Sequence, residues 1–456
     1  MGQLCEGNLS PTKTLATYAA NLSYGEIPTA VTERMIDCVL DSLGAAIYGV
    51  ALPWSQALIG YARRYGSGGK SSIFGVNEKK VQAPFAALAN GGLIHSFELD
   101  NVRQPGAGVH AGATLVPAGF AVAEELGASG AKLLTALVAG CEVMFRIGHA
   151  SRETSEKLGF HAPGLTGPLG AAATAGHLLG LNPDQMVHAF GIAASLASGI
   201  LAFAKSATGG MVKRLHLGRA AEGGVLAATL ARDGFSGPEC VLEGEFGFLH
   251  VFSREPDFTR LTRALGEEYE VMKICMKCFP CHITAQAPIQ AVQELRAKHP
   301  FAAEEVADIT IAGAEKMITH HNIVEPKDVM MAQYSVPYSV ALALRRDPKD
   351  PRSFAEENIA DPAILSLCRK IRLVVDETSR NLEGYLGARV TIRLQSGQEL
   401  TREVKSFKGS PADPLGRAEV AEKFFTLTAA MGRETAEKFF QRVEKLAAEK
   451  NVGSLL

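Results

Sequence analysis

The sequence predicts a mainly α-helical protein in which a large all-helical domain is interrupted by a smaller α+β domain. Three observations favour this fold class. Apolar residues recur at helical spacing through most of the first 230 residues, and β-branched, partly alternating segments begin after about residue 270. A helical pattern then returns from Pro414 onward. Because 456 residues exceed one compact core, at least two domains are expected.

The helical domain begins at Ser10-Pro11, a plausible N-cap followed by proline at the first helical position. Residues 29–48 carry one apolar stripe at helical spacing. Alanine and glycine are concentrated between about residues 107 and 230, which indicates closely packed helices. Further helices are predicted at about 54–65, 82–97, 114–126, 130–149, 165–179, 184–203 and 217–232.

The α+β domain is predicted from strands at 307–313, 370–376 and 389–397, with helices at about 284–298 and 328–345 among them. A further strand, Leu400 to Val404, could pair with the preceding one across the Ser396-Gly397 turn. The predicted domains are therefore 1–268, completed by 410–456, and 269–409.

Composition excludes several classes of protein. The formal net charge of -2 gives no general attraction to nucleic acid or to an anionic membrane. The first residues lack a cationic start followed by an apolar run, and charge, Gly or Pro breaks each candidate for a run of about 18 apolar residues. We therefore expect a cytoplasmic protein without nucleic-acid or membrane partners.

The stretch KICMKCFPCH (273–282) places Cys275, Cys278 and Cys281 three apart. Its end matches the C-x-x-C-H pattern of haem attachment, and three cysteines also suggest a metal or cluster site. Both interpretations are disfavoured, because a fourth cluster ligand is missing and His282 follows Cys281 too closely for easy tetrahedral closure. We interpret the cysteines as small apolar residues, while measured iron or zinc would support the alternative.

Four segments combine Gly or Pro with ionisable groups inside otherwise apolar sequence, which is the pattern of a ligand-binding loop cluster. Each residue alone has an ordinary structural explanation, such as a solvated helix end or a surface charge. The segments are 94–112, 159–164, 208–218 and 273–282, and their ionisable residues include Glu98, Asp100, Arg103, His110, His161, Lys213, Arg214, His216, Lys277 and His282.

Together these residues indicate a pocket for a small polyanion. Lysine and arginine bind carboxylates, histidine moves protons near neutral pH, and glycine lets the backbone approach a ligand. This suits removal of a proton α to a carboxylate, with cations stabilising the developing charge. The sequence contains no phosphate-binding loop, dinucleotide fingerprint, H-E-x-x-H or G-x-S-x-G motif.

At these segments the sequence resembles the MmgE/PrpD family, which includes 2-methylcitrate dehydratase, cis-aconitate decarboxylase and iminodisuccinate epimerase. The resemblance covers nearly the whole chain. Its motifs are an H-x-x-D-x-D-D-T-like region at His95 to Val102, then His110, G-F-H-x-P (159–163), T-G-x-M-x-K-R-L-H-x-G (208–218), K-x-F-P-x-H (277–282) and Q-Y-S-x-P-Y (333–338).

The resemblance implies an MmgE/PrpD-type fold whose α+β domain is a lid, a homodimer, and catalysis without metal or organic cofactor at a site between the domains. The predicted catalytic residues are His161, His110, Lys213, Lys277 and Tyr338. The predicted substrate-binding residues are Glu98, Asp100, Arg103, Arg214 and His282.

The sequence departs from the family's D-x-D-D-T pattern, which becomes Glu98-Leu99-Asp100-Asn101-Val102. We predict a cofactor-independent enzyme that abstracts a proton α to a carboxylate of a small di- or tricarboxylate, a lyase of the 2-methylcitrate dehydratase type. The departures leave open an epimerase or isomerase of a dicarboxylate such as iminodisuccinate, and a cis-aconitate decarboxylase-like enzyme. An alternative of another class is a non-catalytic carboxylate-binding pseudoenzyme.

Overall fold

The computed structural model describes residues 10–77, 80–104, 109–152, 154–206, 209–379 and 386–455. It confirms a mainly α-helical protein with a small α+β part. The chain divides into two compact units. The first contains the residues up to Ser96, Asp100–Ile274 and Arg417 onward, and the second contains Phe97–Leu99 and Cys275–Gly416. Residues 105–108 of the segment 94–112 and Thr208 of the segment 208–218 lie outside the described residues.

The first unit is built from helices, with one five-residue strand, Ser67–Ser71, that the sequence pattern did not predict. A two-residue strand occupies Val102–Arg103, and another, Ile274–Cys275, lies where the chain passes from the first unit to the second. The helices are Pro11–Asn21, Thr29–Gly49, Pro53–Tyr65, Ala83–Ile94, Ala111–Leu126, Gly130–Ala150, Thr154–Lys157, Ala162–Leu179, Pro183–Ser195, Val212–Arg232, Phe248–Phe252, Arg417–Leu427 and Arg433–Glu444.

Small residues allow the central helices of this unit to approach closely, as their composition predicts. The helix Val212–Arg232 packs against Ala83–Ile94 and Ala162–Leu179. Where it crosses the first of these, a Cβ added to Gly218 would lie 2.2 Å from the carbonyl oxygen of Leu88. Glycine is therefore required for this backbone contact.

One described helix, Gly130–Ala150, is long and apolar enough to cross a membrane. The bent pair Thr29–Gly49 and Pro53–Tyr65 passes the same test when taken together. Within the protein, 94% of the apolar window of Gly130–Ala150 is buried, which is the environment of a core helix.

The second unit contains a four-stranded sheet. Its strands follow the order Ile371–Val375, Val306–Gly313, Ala388–Leu394 and Glu399–Val404, and only the first pair is parallel. The predicted hairpin is confirmed, since Ile392 pairs with Leu400 and Gly397 adopts a φ of +87° in the turn. The helices of this unit are Gln286–Lys298, Glu315–His321, Val329–Tyr334, Val336–Ala343, Glu356–Ile359 and Pro362–Cys368.

The helix predicted at 328–345 is two helices separated at Ser335. Pro337 lacks the N–H that would continue the first helix and occupies the first turn of the second. The side chain of Ser335 accepts a hydrogen bond from the Tyr338 N–H at 2.9 Å and so caps the second helix. Apolar periodicity continues across both helices, so the sequence analysis predicted one helix and did not identify the break at Ser335.

Candidate active site

In the first unit, six buried or half-buried side chains form what we call the histidine cluster: His95, Asp100, His110, His161, Lys213 and His216. Asp100 is its centre, because its carboxylate lies 2.9 and 3.0 Å from Nδ1 of His95 and 2.8 Å from Nδ1 of His110. A carboxylate can only accept hydrogen bonds, so both Nδ1 atoms carry hydrogen. Each imidazole is thereby held in one orientation with its Nε2 directed away from Asp100.

Two histidines of this cluster lie at the N-caps of helices. His110 precedes Ala111–Leu126 and His161 precedes Ala162–Leu179, both with extended backbone angles. The sequence pattern placed these helix starts three residues later, at 114 and 165, and so missed the caps. The ring of His161 thus lies beside a helix N-terminus, where the helix dipole disfavours a cation.

His161 is positioned by the segment after the helix Pro183–Ser195. That helix was predicted to continue to residue 203, but Ser198 N–H donates to Gly164 O and His161 N–H donates to Gly199 O. Gly199 has a φ of +119°, and a Cβ on it would lie 3.2 Å from Nδ1 of His216. Because glycine has no Cβ, the His216 ring can lie against this backbone. Its Nδ1 is then 3.1 Å from Nδ1 of His161.

Three histidines of the histidine cluster, His95, His161 and His216, have lowered pKa values and are neutral imidazoles. The pKa of His95 is lowered to about 3, chiefly by burial and also by the nearby Lys213, while Asp100 opposes the shift. Burial, then Lys213, also lowers the pKa of His161 and His216. The contact of His95 with Asp100 is therefore a hydrogen bond from a neutral ring. For Asp100, the two histidines outweigh burial and hold its pKa well below the usual value.

His95, Asp100 and His110 are also the one group of the described residues whose ligand atoms could hold a metal ion, lying within 4.8 Å of one another. Two features favour the hydrogen-bonded arrangement instead. Both Nδ1 atoms are satisfied by Asp100, and the ammonium of Lys213 is close enough to lower the pKa of His95. A second cation here would meet the charge of Lys213.

In the second unit, six side chains form what we call the lysine cluster: Glu98, Lys277, His282, His321, Gln333 and Tyr334. Nζ of Lys277 donates to Oε2 of Glu98 at 3.0 Å and to the backbone oxygen of Glu98 at 3.1 Å. Lys277 is 2% exposed and Glu98 is 3% exposed. Glu98 has a φ of +55°, a left-handed conformation that costs a non-glycine residue about 1–3 kcal/mol.

Gln333 fixes the chain around this ion pair. Its side-chain N–H groups donate to Phe97 O at 2.8 Å and to Pro280 O at 3.0 Å. Its backbone oxygen accepts from the His282 N–H at 2.8 Å. The strained residue Glu98 and the K-x-F-P-x-H turn are therefore held by one buried amide.

Three predicted site residues have hydrogen-bond or ion-pair partners within their own unit, and their predicted roles stay predictions. Arg103, predicted to bind substrate, is paired with buried Glu270 at 2.9 Å. Arg214, predicted likewise, donates to Ser96 O and Gly210 O. Tyr338, predicted to assist proton transfer, donates its hydroxyl to Asn358 O at 2.9 Å. Residue type and motif position suggested the roles of the two arginines, and the family resemblance suggested that of Tyr338.

The remaining predicted residues lie in one or the other cluster: His110, His161, Lys213 and Asp100 in the histidine cluster, and Glu98, Lys277 and His282 in the lysine cluster. Sequence reasoning assigned no role to five further members. Four of them lie within the quoted motifs and could have been found there: His95, His216, Gln333 and Tyr334. His321 lies in no motif, and nothing in the sequence distinguishes it from its neighbour His320.

Two of the three cysteines of 273–282, Cys275 and Cys281, are fully buried, and burial raises the pKa of the Cys281 thiol to about 12. Sγ of Cys278 lies 3.1 Å from Lys408 O. Within the described residues these cysteines form no group of metal ligands with His282.

Neutral buried histidines predict that the folded state loses stability in acid. A histidine whose pKa is lowered on folding stays neutral while the unfolded chain takes up a proton below about pH 6.5, so stability falls as pH falls. A fully buried histidine then contributes up to about 1.4 kcal/mol per pH unit. The histidines with lowered pKa are His95, His149, His161, His177, His216, His282 and His321.

Urea unfolding between about pH 7.5 and pH 5 will measure this slope. We expect His177→Gln, outside both clusters, to reduce the slope, and His299→Gln, at an exposed position, to leave it unchanged. Glu142 acts in the opposite sense, because burial raises its pKa to about 7 and its proton uptake favours the folded state. Stability that rises steadily from pH 7 to pH 5 would contradict the neutral histidines.

Comparison with known proteins gives matches along nearly the whole chain. The model of the MmgE/PrpD N-terminal domain matches residues 13–261, and that of the MmgE/PrpD C-terminal domain matches residues 279–448. A cis-aconitate decarboxylase of Aspergillus terreus is 29% identical over 94% of this chain and 91% of its own length. The human cis-aconitate decarboxylase is 28% identical over 96% of this chain and 92% of its own. A cis-aconitate decarboxylase-like protein of Aspergillus oryzae is 29% identical over 99% of this chain and 97% of its own.

Proposed function

The chain belongs to the MmgE/PrpD family, and on this premise we propose that it is a lyase that decarboxylates a small unsaturated di- or tricarboxylate. Similarity to cis-aconitate decarboxylases along nearly their full length favours decarboxylation over the dehydration that the sequence first suggested. The observation that carries the proposal is the combination of buried Lys213 with neutral His95, His161 and His216 in the histidine cluster.

The chemistry follows from these groups. When the bond to a carboxylate carbon breaks, carbon dioxide leaves and its bonding electron pair passes into the remaining conjugated carboxylate. An ammonium such as Lys213 or Lys277 stabilises that negative charge. The imidazole of His161 or His110 takes up a proton from solvent and transfers it to the carbanion, which completes the new C–H bond and returns the ring to its starting state. One proton is consumed for each carbon dioxide released.

A second candidate is a dehydratase or epimerase acting on a related polycarboxylate through the same carbanion. Glu98, Asn101 and Val102 depart from the family's D-x-D-D-T pattern, and Glu98 is the carboxylate that pairs with Lys277. A carboxylate longer by one methylene alters the space beside that ammonium. These departures favour a substrate that differs from that of the named relatives.

A polycarboxylate panel in deuterium oxide, including the aconitates, methylcitrate and iminodisuccinate, tests the proposal by NMR. We expect one deuterium at the new C–H bond and release of carbon dioxide. An alkene product with retained carboxylates indicates dehydration, deuterium in inverted substrate indicates epimerisation, and tight binding without turnover indicates a pseudoenzyme. His161→Ala and Lys213→Ala should abolish turnover, while His299→Gln should not. Full activity in both cluster variants would overturn the site assignment.

A further inference from the structure

Two stacked imidazoles, His282 and His321, lie in the lysine cluster. Their ring centroids are 3.9 Å apart and their planes meet at 26°. The ring of Tyr334 lies beside both, at 5.1 Å from His282 and 5.5 Å from His321. His321 is 2% exposed and lies in no motif that indicated function, so its packing against a motif histidine requires an explanation.

The hydrogen bonds of His282 determine which of its nitrogens carries hydrogen. His282 caps the turn Ile283–Ala285, where its Nδ1 accepts from the Thr284 N–H at 3.4 Å. The hydroxyl of Thr284 lies 2.9 Å from the same nitrogen and can also donate to it. Nδ1 is therefore an acceptor, and the neutral ring carries its hydrogen on Nε2.

His321 adopts the opposite tautomer. Its Nδ1 lies 3.0 Å from the backbone oxygen of Tyr334, which can only accept, so Nδ1 carries hydrogen. Its Nε2 is buried and has no hydrogen-bond partner among the described residues. A proton added to Nε2 would place a cation with no acceptor in the interior, so His321 is held neutral.

We propose that His321 is a positioning residue that keeps His282 neutral, so that His282 serves the reaction as an Nε2–H donor to a substrate carboxylate or enolate oxygen. Protonating His282 would break the hydrogen bonds at Nδ1 and create a cation stacked on a buried ring. The positive charge that binds the substrate is then left to lysine. The catalytic part of this inference rests on the proposed function, whereas the state of the rings does not.

The charged groups around the pair are Glu98, Lys277, Lys316 and His320. Glu98 favours protonation of both rings, but its carboxylate is paired with Lys277. Lys316 disfavours protonation of both rings, Lys277 that of His282, and His320 that of His321. The cations and burial thus act in the same direction as the stacking geometry.

Ring-nitrogen NMR of the full chain labelled with 15N-histidine tests this directly. In the wild type we expect hydrogen on Nε2 of His282 and on Nδ1 of His321, with neither ring titrating between about pH 7.5 and pH 5.5. His321→Phe preserves a buried ring and should leave the titration of His282 unchanged. His321→Asn removes the ring and should raise the pKa of His282 toward about 6.5. The acid limb of the pH profile of kcat/KM should shift to higher pH together with the pKa of His282.

His320→Asn is the matched control, since His320 is the exposed neighbour on the same helix. This variant should change neither the tautomer of His282 nor the pH profile of kcat/KM. Hydrogen on Nδ1 of His282, or titration near pH 6.5 in the wild type or in His321→Phe, would overturn the proposal. So would an unchanged titration in a folded His321→Asn variant. Since the NMR result requires no turnover, an inactive protein with the expected tautomers would overturn the proposed function and leave the ring states standing.

Discussion

Replacing Lys277 with methionine is expected to destabilise the protein by about 3–5 kcal/mol and to abolish its activity, the largest combined effect that we predict. Methionine is close to lysine in length but carries no charge. The change removes an ammonium that lies 3.0 Å from buried Glu98 and also donates to its strained backbone. The carboxylate of Glu98 then remains in the interior without this cation, which explains the loss of stability.

The double variant Glu98→Gln/Lys277→Met separates stability from function. Since both charges are removed, we expect it to recover most of the stability that Lys277→Met loses, because replacing both members of a buried pair is far less costly than removing one. It should remain inactive, because the cation proposed to bind substrate is still missing. Urea unfolding and turnover of the best substrate are the measurements.

A matched control is Lys438→Met, which breaks an exposed pair with Glu434 and should change stability by no more than about 0.5 kcal/mol. Wild-type turnover in the double variant would show that the Lys277 ammonium has no role in the reaction. Wild-type stability of Lys277→Met would show that the pair is not a buried one in solution.

Asp100→Asn is expected to reduce kcat by about 10²–10⁴-fold while the protein stays folded. The carboxylate of Asp100 accepts from Nδ1 of both His95 and His110. An amide offers one acceptor and one donor group, so one of the two histidines must change its tautomer or its orientation. The Nε2 atom of that ring then presents the wrong protonation state.

Steady-state kinetics and thermal unfolding of Asp100→Asn check this expectation, with Asp413→Asn, whose half-exposed carboxylate pairs with Lys408, as the matched control. We expect kcat to fall far more than KM rises, because the change alters proton transfer rather than charge pairing with substrate. A kcat within fivefold of the wild type would remove Asp100 from the proton-transfer machinery.

The sequence predicted the elements well wherever one strong local signal dominated. Alternating β-branched residues and the Ser396-Gly397 turn correctly predicted the hairpin, because side-chain alternation and turn chemistry act over a few residues. It failed where an element ends for a tertiary reason. The helix predicted at 184–203 ends at Ser195, since the following backbone bonds to His161 and Gly164 instead.

The candidate site shows the same contrast between local sequence signals and tertiary contacts. Residue types and motif spacing identified Lys277, Asp100 and His161 as candidates for carboxylate chemistry. They could not distinguish Arg103, whose guanidinium is paired with Glu270, from a charge available to a ligand. A partner 167 positions away leaves no trace in a local pattern.

By itself the sequence determined the fold class, the family resemblance and the kinds of group that the chemistry requires, because these depend on periodicity and on motifs that lie close together along the chain. Only the tertiary structure decided which groups are paired, which histidines are neutral and which nitrogen of each ring carries hydrogen. Those properties depend on burial and on hydrogen-bond partners within a few ångströms. His321 is the clearest case, since no signal in the sequence separates it from His320, and only folding buries it against His282.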